Sequence, residues 1–280
     1  MIETQPIRVE RRAVMRGDGA VIHAESRGEG PALVFAHGLG GSHLSWWQQV
    51  AHFAPTHRCI AFAHRGFGPS RAPAEGIDPA RYAEDLDAVL DAFGVDRAVL
   101  VGQSMGGWTA IEFALRRPER LRGLVLSATS GTIDPATLGD DTLRARLAEW
   151  DAQAQAARRT CLEAGIHVAA GARMAREQPA LHLLYQLVDE TSQGLDKQAL
   201  RAKLVAMRRR DGACAAAIAC PVLVVMGAED IVVPWPMAEH LAAAFPAGRA
   251  LVYPQTGHSP YFERATRFNA DLAAFLAALG

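Results

Sequence analysis

The stretch that most constrains this chain is Ala98–Arg117. An unbroken apolar run, Ala98-Val99-Leu100-Val101, leads into Gly102-Gln103-Ser104-Met105-Gly106. Trp108–Arg117 then carries helical spacing up to Pro118, which stops the helix. A run without polar alternation reads as a strand covered on both faces. Passing from such a strand to a helix in so few residues forces a sharp turn. Gly102 and Gly106 lack the side chains that would obstruct the approach of strand and helix. The same turn sets Ser104 at a helix N-terminus, where unpaired N–H groups favour negative charge.

The rest of the chain repeats that alternation. Ile7–Met15 and Ala20–Ser26 read as a hairpin around Arg16-Gly17-Asp18-Gly19. Ala32–Ala36, Cys59–Ala63, Leu121–Leu126, Pro221–Met226 and Ala250–Tyr253 are short apolar runs and read as strands. Tyr82–Phe93 spaces Leu86, Val89, Leu90 and Phe93 at three and four, and Glu263–Leu279 is amphipathic, so both read as helices. Strands alternating with helices predict an α/β fold: a mostly parallel twisted sheet with helices on both faces. From about 131 to 212 the rhythm breaks. This block is rich in Ala, Arg, Leu and Gln, and breaks at Gly139, Gly165, Gly171, Pro179 and Gly194 predict three or four helices. An all-helical insert at 131–212, between two strands of one core domain formed by 1–130 and 213–280, is more economical than two independent domains.

Composition excludes several function classes. Lys and Arg number 29 against 30 Asp and Glu, so a net charge of −1 gives no footprint for nucleic acid or an anionic membrane. No apolar run approaches the roughly 20 residues of a membrane-spanning helix, and the start, MIETQPIRVERR, lacks the apolar region of a secretory leader. Cys59, Cys161, Cys214 and Cys220 show no ligand-like spacing and read as reduced thiols of a cytoplasmic protein. Ten histidines include no H-E-x-x-H or comparable pair, so neither a metal nor another cofactor is expected. The expected partner is a small-molecule substrate.

A serine hydroxyl is a weak nucleophile and needs a base that is itself oriented by an acid. His258, in Thr256-Gly257-His258-Ser259-Pro260, follows the last strand. Asp230, in Gly227-Ala228-Glu229-Asp230, follows the strand before it, with Glu229 beside it as the competing carboxylate. Both lie at C-terminal strand ends, the edge where open α/β sheets place their sites. Gly-x-Ser-x-Gly between strand and helix, followed by Asp and then His, is the pattern of a nucleophile elbow and its partners.

On these residues the chain resembles the α/β-hydrolase fold family over essentially its whole length, from His37-Gly38 through the elbow to the His258 loop. The resemblance implies that Ser104 is the nucleophile, His258 the base and Asp230 the orienting acid, since Asp in G-x-x-D matches the family better than Glu229. It implies an oxyanion hole from the backbone N–H groups of Leu39 and Met105, a loop braced by His37, and a helical cap at 131–212. Arg65-Gly66-Phe67-Gly68-Pro69-Ser70 resembles the family's R-G-x-G-x-S loop. Many relatives carry an acid two places before that Arg; Ala63 stands there in this chain, so Arg65 is expected to be anchored differently.

Relatives that form alkyl-enzymes use an aspartate where this chain has Ser104, so the resemblance favours an acyl-enzyme. The leading expectation is a serine hydrolase acting on a small, largely apolar ester or lactone. A C–C bond hydrolase of a diketone-type ring-cleavage product is the runner-up, weakened because Ser259 and Pro260 stand between His258 and Tyr261. A receptor that kept the triad is the alternative from another class. Trp46 follows the oxyanion loop and Trp108 follows the elbow; each either packs the core or lines an apolar acyl pocket. Arg208-Arg209-Arg210 reads as a solvated helix end, with a cap-side anchor for a carboxylate as the sharper alternative.

Overall fold

Strand β3 (Ala32–Ala36) shows how the fold is organised. All five of its residues are buried, and they alternate between two cores: Leu33 and Phe35 join one, Val34 and Ala36 the other. A strand buried on both faces must lie inside a sheet flanked by helices. The computed structural model describes residues 8–280. Ile7, the start of the expected first strand, and the residues before it lie outside that range.

The hairpin consists of β1 (Val9–Met15) and β2 (Val21–Arg27), paired antiparallel. With β4 (Arg58–Phe62), β5 (Ala98–Gln103), β6 (Leu121–Ser127), β7 (Val222–Gly227) and β8 (Gly248–Tyr253) they form one eight-stranded sheet in the order β1-β2-β4-β3-β5-β6-β7-β8. From β4 to β8 every neighbouring pair is parallel. The C-terminal ends of β3, β5, β7 and β8 therefore open on one edge.

Helices α2 (Tyr82–Ala92) and α3 (Gly106–Arg116) pack one face through Leu86, Val89, Ile111 and Phe113. Helix α1 (Trp47–Phe53) contributes Phe53 to the other face. The expected final helix is divided. Arg264 leaves helical geometry at φ −126°, separating α9 (Pro260–Glu263) from α10 (Ala265–Ala277), whose Phe268 and Leu272 complete that second core. Helix α8 (Ala238–Ala243), between β7 and β8, and helix α1 were not anticipated.

Between β6 and β7 run four α-helices: α4 (Asp141–Glu163), α5 (Gly171–Glu177), α6 (Pro179–Glu190) and α7 (Lys197–Met207). Capping explains where two of them begin. Asp140 accepts from the N–H groups of Thr142 and Leu143 at 3.0 and 3.1 Å, and Asp196 accepts from Ala199 at 2.8 Å. The ends of this helical insert meet. Arg210 donates its N–H to Thr132 and accepts from that of Asp134, at 3.0 and 2.9 Å, and its guanidinium grips Glu112 of α3.

Candidate active site

Ser104 sits between β5 and α3 with a φ of +47°. A non-glycine residue there costs on the order of 1–3 kcal/mol and persists only where its surroundings hold it. The surroundings are tight. A Cβ on Gly106 would lie 2.1 Å from the Ala36 carbonyl oxygen, and one on Gly102 would lie 2.7 Å from that of Gly106. Glycine at both positions is therefore a condition of the turn. The Ser104 N–H is held by the Ser127 carbonyl at 3.0 Å.

His258 Nε2 lies 2.9 Å from Ser104 Oγ, and His258 Nδ1 lies 2.8 Å from Asp230 Oδ2. Asp230 is almost fully buried, and its other oxygen accepts from the N–H groups of Val232 and Val233 at 2.7 and 2.9 Å. A carboxylate that accepts on both oxygens fixes the tautomer: Nδ1 carries the proton, and Nε2 is free to accept from the serine hydroxyl. The arrangement can take a proton from Ser104 and hold it on an imidazolium beside a negative charge. Glu229 is not part of it. Its carboxylate makes a two-pronged pair with Arg173 of α5 at 2.8 and 2.7 Å.

The serine opens on a cavity of about 280 Å³ whose walls include Leu39, Met105, Trp108 and His258. Neither the Leu39 nor the Met105 N–H donates to an acceptor among the described residues. His37 holds the loop that carries Leu39: Nδ1 donates to the Gly38 carbonyl at 2.8 Å, and Nε2 accepts from the His64 N–H at 3.0 Å. Burial pushes His37 down to about 3, so the ring stays neutral and can serve both partners.

The two tryptophans part company. Trp108 lines the cavity, and its Nε1 donates to the Leu204 carbonyl at 2.9 Å. Trp46 does not reach the cavity. It is fully buried, 4.9 Å from the ring of Phe35 and 4.3 Å from that of Tyr261. The short turn after the His37–Gly41 loop points it back into the core, so the expectation of a pocket-lining Trp46 is corrected to a packing role.

A family model described as alpha/beta hydrolase fold matches residues 31–265. The chain belongs to the alpha/beta hydrolase fold family. It is 32% identical over 251 residues to the "Putative carbamate hydrolase RutD" of Klebsiella pneumoniae (strain 342), covering 89% of this chain and 92% of that one. Among solved structures it resembles Est816, described as an N-acyl homoserine lactone degrading enzyme. That match has 29% identity and a TM-score of 0.73, and covers 93% of this chain and 99% of the other. The esterase RhEst1 from Rhodococcus sp. ECU1013 matches at 26% identity and a TM-score of 0.72, over 96% and 99% of the two chains. The chain is a hydrolase of this fold.

For an alpha/beta hydrolase, the R-G-x-G-x-S loop is anchored here in its own way. Arg65 is buried and grips both oxygens of Asp85 on α2 at 2.7 Å, with Asp18 of the hairpin turn at 2.7 Å on its third side. Two acids distant in sequence replace the one that Ala63 cannot supply.

Several supporting residues were not legible beforehand. Trp150 and Arg158 of α4 donate to the carbonyls of Asp230 and Ile231 at 2.8 and 2.6 Å, clamping the acid's loop from the helical insert. Gln103 donates to the His258 carbonyl at 3.1 Å. Glu263 accepts from the Gly257 N–H at 2.8 Å behind the same histidine, and burial pushes its carboxyl up to about 7. Spacing alone carried no signal for these contacts.

Away from the cavity, His23, Glu25 and His43 bring possible metal-ligand atoms within 4.8 Å of one another. Both Glu25 oxygens already accept from arginines, Arg11 at 2.8 Å and Arg27 at 3.1 Å. That cluster is an ion-pair network with its carboxylate engaged. No helix among the described residues is long and apolar enough to cross a membrane.

Proposed function

We propose that this hydrolase cleaves a small ester or lactone through an acyl-enzyme, with Ser104 as nucleophile, His258 as base and Asp230 as orienting acid. One observation carries the reading: the continuous hydrogen-bonded line from Asp230 through His258 to Ser104 ends beside two backbone N–H groups with no acceptor. Attack by Ser104 Oγ on the carbonyl passes the serine proton to His258 Nε2. The resulting oxyanion accepts from the N–H groups of Leu39 and Met105, donors already in place before charge develops. The imidazolium then gives its proton to the leaving alkoxide. Water repeats the sequence on the acyl-serine, returning the enzyme and releasing the acid.

A cavity of about 280 Å³ supports a small substrate. Likeness to Est816, an N-acyl homoserine lactone degrading enzyme, supports the lactone half of the reading, and likeness to the esterase RhEst1 the ester half. The helices of 131–212 act as a cap over the core formed by 1–130 and 213–280. Trp108 forms an apolar wall for the acyl group.

A fluorophosphonate probe should label Ser104 stoichiometrically in folded protein, as read by peptide mass spectrometry. Ser104→Ala should abolish labelling and lower p-nitrophenyl ester hydrolysis by about a thousandfold or more. Labelling elsewhere, or an active Ser104→Ala protein, would end the proposal.

A further inference from the structure

The cap side of the cavity is charged, and its charges do not cancel. Lys197 and Asp189 pair with each other, Nζ to Oδ1 at 2.7 Å, and His167 stands 3.7 Å from the other Asp189 oxygen. Arg201 and Arg208 also line this wall. Neither guanidinium takes part in an ion pair among the described residues. The Arg208 Nε is buried with no hydrogen-bond partner.

Arg208 is also held in shape. Its guanidinium lies over the Trp108 ring, 4.6 Å from the centroid, and Trp108 is itself fixed by its bond to the Leu204 carbonyl. Contact with the ring holds the guanidinium at the cavity wall, and its terminal N–H groups, which donate to no acceptor among the described residues, form the planar fork that matches a carboxylate. Its sequence neighbours serve elsewhere: Arg210 grips Glu112, and Arg209 is exposed. A buried donor with no acceptor is costly, and at a cavity wall an incoming acceptor would relieve that cost. Burial pushes Arg208 below arginine's ordinary range, with only Asp134 acting against it from beyond contact distance. An incoming anion would reverse that penalty.

We propose that Arg208 is a specificity-determining residue, and that the substrate of this hydrolase carries a carboxylate at the end remote from the scissile carbonyl, bound by the Arg208 guanidinium with Arg201 as a second cation on the same wall. The substrate class is the hemiester of a short dicarboxylic acid, or a lactone bearing a free carboxylate. Apolar residues, Met105 and Val233 among them, would cover the methylenes between the two ends. This inference rests on the reading of Ser104 as nucleophile.

Matched pairs of p-nitrophenyl esters test it. Mono-p-nitrophenyl succinate, glutarate and adipate differ from the butyrate, pentanoate and hexanoate only in ending in a carboxylate. At one chain length or more, kcat/KM for the anionic ester should exceed that for its neutral partner by about tenfold or more, since a site built for a polar group discriminates strongly against its absence. Arg208→Met should lower that ratio by about tenfold or more, and Arg208→Lys should recover part of it by returning the charge without the fork. A neutral preference at every length, or an anionic-to-neutral ratio that survives Arg208→Met, overturns the proposal. A binding measurement separates this outcome from failure of the hydrolase reading. In Ser104→Ala protein, calorimetric titration should detect monomethyl adipate, with affinity lost in the Ser104→Ala/Arg208→Met double variant. Arg208-dependent binding with no turnover of any ester would condemn the nucleophile and keep the anion site. Turnover with no Arg208-dependent binding would do the reverse.

Discussion

The two walls of the cavity are built on different principles. The sheet-edge wall carries Ser104, His258 and the two free N–H groups, and backbone holds it in place: a positive φ at the serine, glycines against carbonyl oxygens, and a buried acid with both oxygens engaged. The opposite wall, on the helical insert, carries Lys197 and Arg201 on α7 and Arg208 just after it, all long side chains, on a helix that contributes no residue to the two sheet cores. Groups that handle the reacting atoms need positions fixed to a fraction of an ångström. Groups that select a substrate need only reach its far end. On the proposed roles of Ser104, His258 and Arg208, the contrast means that chemistry and selectivity can change independently.

The strongest test uses two sequence neighbours that stand behind the cavity and serve different partners. Asp230 serves the sheet edge, whereas Glu229 ties the same loop to α5 through Arg173. Asp230→Asn should keep the fold and lower kcat by about 10⁴-fold, because the imidazole loses its tautomer and its counter-charge together. Glu229→Gln should cost no more than about threefold, the scale of a surface ion pair. Steady-state kinetics of the two variants decide the matter, and equal losses would refute the assignment of the acid.

A smaller effect separates the walls by stability. Gly106→Ala would press a methyl within 2.1 Å of backbone at Ala36, and should cost about 3 kcal/mol or more in urea unfolding, beyond the usual penalty of overpacking. Gly165 in the insert has a φ of +68° but open space around it. Gly165→Ala should cost only about 1 kcal/mol, the strain of the backbone conformation. Similar costs would mean that the elbow relaxes more easily than its contacts imply.

The smallest effect is the pH dependence that Glu263 contributes behind the sheet edge. Burial raises Glu263 from 4.5 to about 7, so the folded state binds a proton that the unfolded state releases. Its contribution is fully present below about pH 4.5 and is lost as pH rises through about 7. Thermal unfolding should show the unaltered protein losing a few degrees of Tm between pH 5 and pH 8 relative to Glu263→Gln. That comparison removes the opposite slope of the histidines that burial holds neutral, His37, His43 and His64, which both proteins share. Equal slopes in the two proteins would place the titration elsewhere.

What the sequence disclosed followed from periodicity and punctuation. Strands buried on both faces announce themselves as unbroken apolar runs, which is why Ala32–Ala36 coincides with β3, and glycine breaks bounded the helical insert. The line Asp230–His258–Ser104 was legible because each member stands at a strand end with characteristic neighbours. Side-chain direction was not. Trp46 and Trp108 each follow a site loop, yet one turns into the core and the other faces the cavity. The anchor of Arg65 was equally hidden, since Asp85 and Asp18 reach it only once α2 and the hairpin have packed. Short helices such as Ala238–Ala243 hold too few residues to establish a period.

The backbone exchange at the base of the insert has a further consequence. Because Arg210 bonds to Thr132 and Asp134, the chain leaves the core and returns to it at a single point. Whatever lies between these residues is a closed loop with pinned ends, and its length adds only slowly to the entropy of closure. Another helical segment spliced at the same junction would present a different set of side chains to whatever enters the cavity, and it would keep the Asp230 loop in place only if it also replaced the donors that Trp150 and Arg158 supply to that loop.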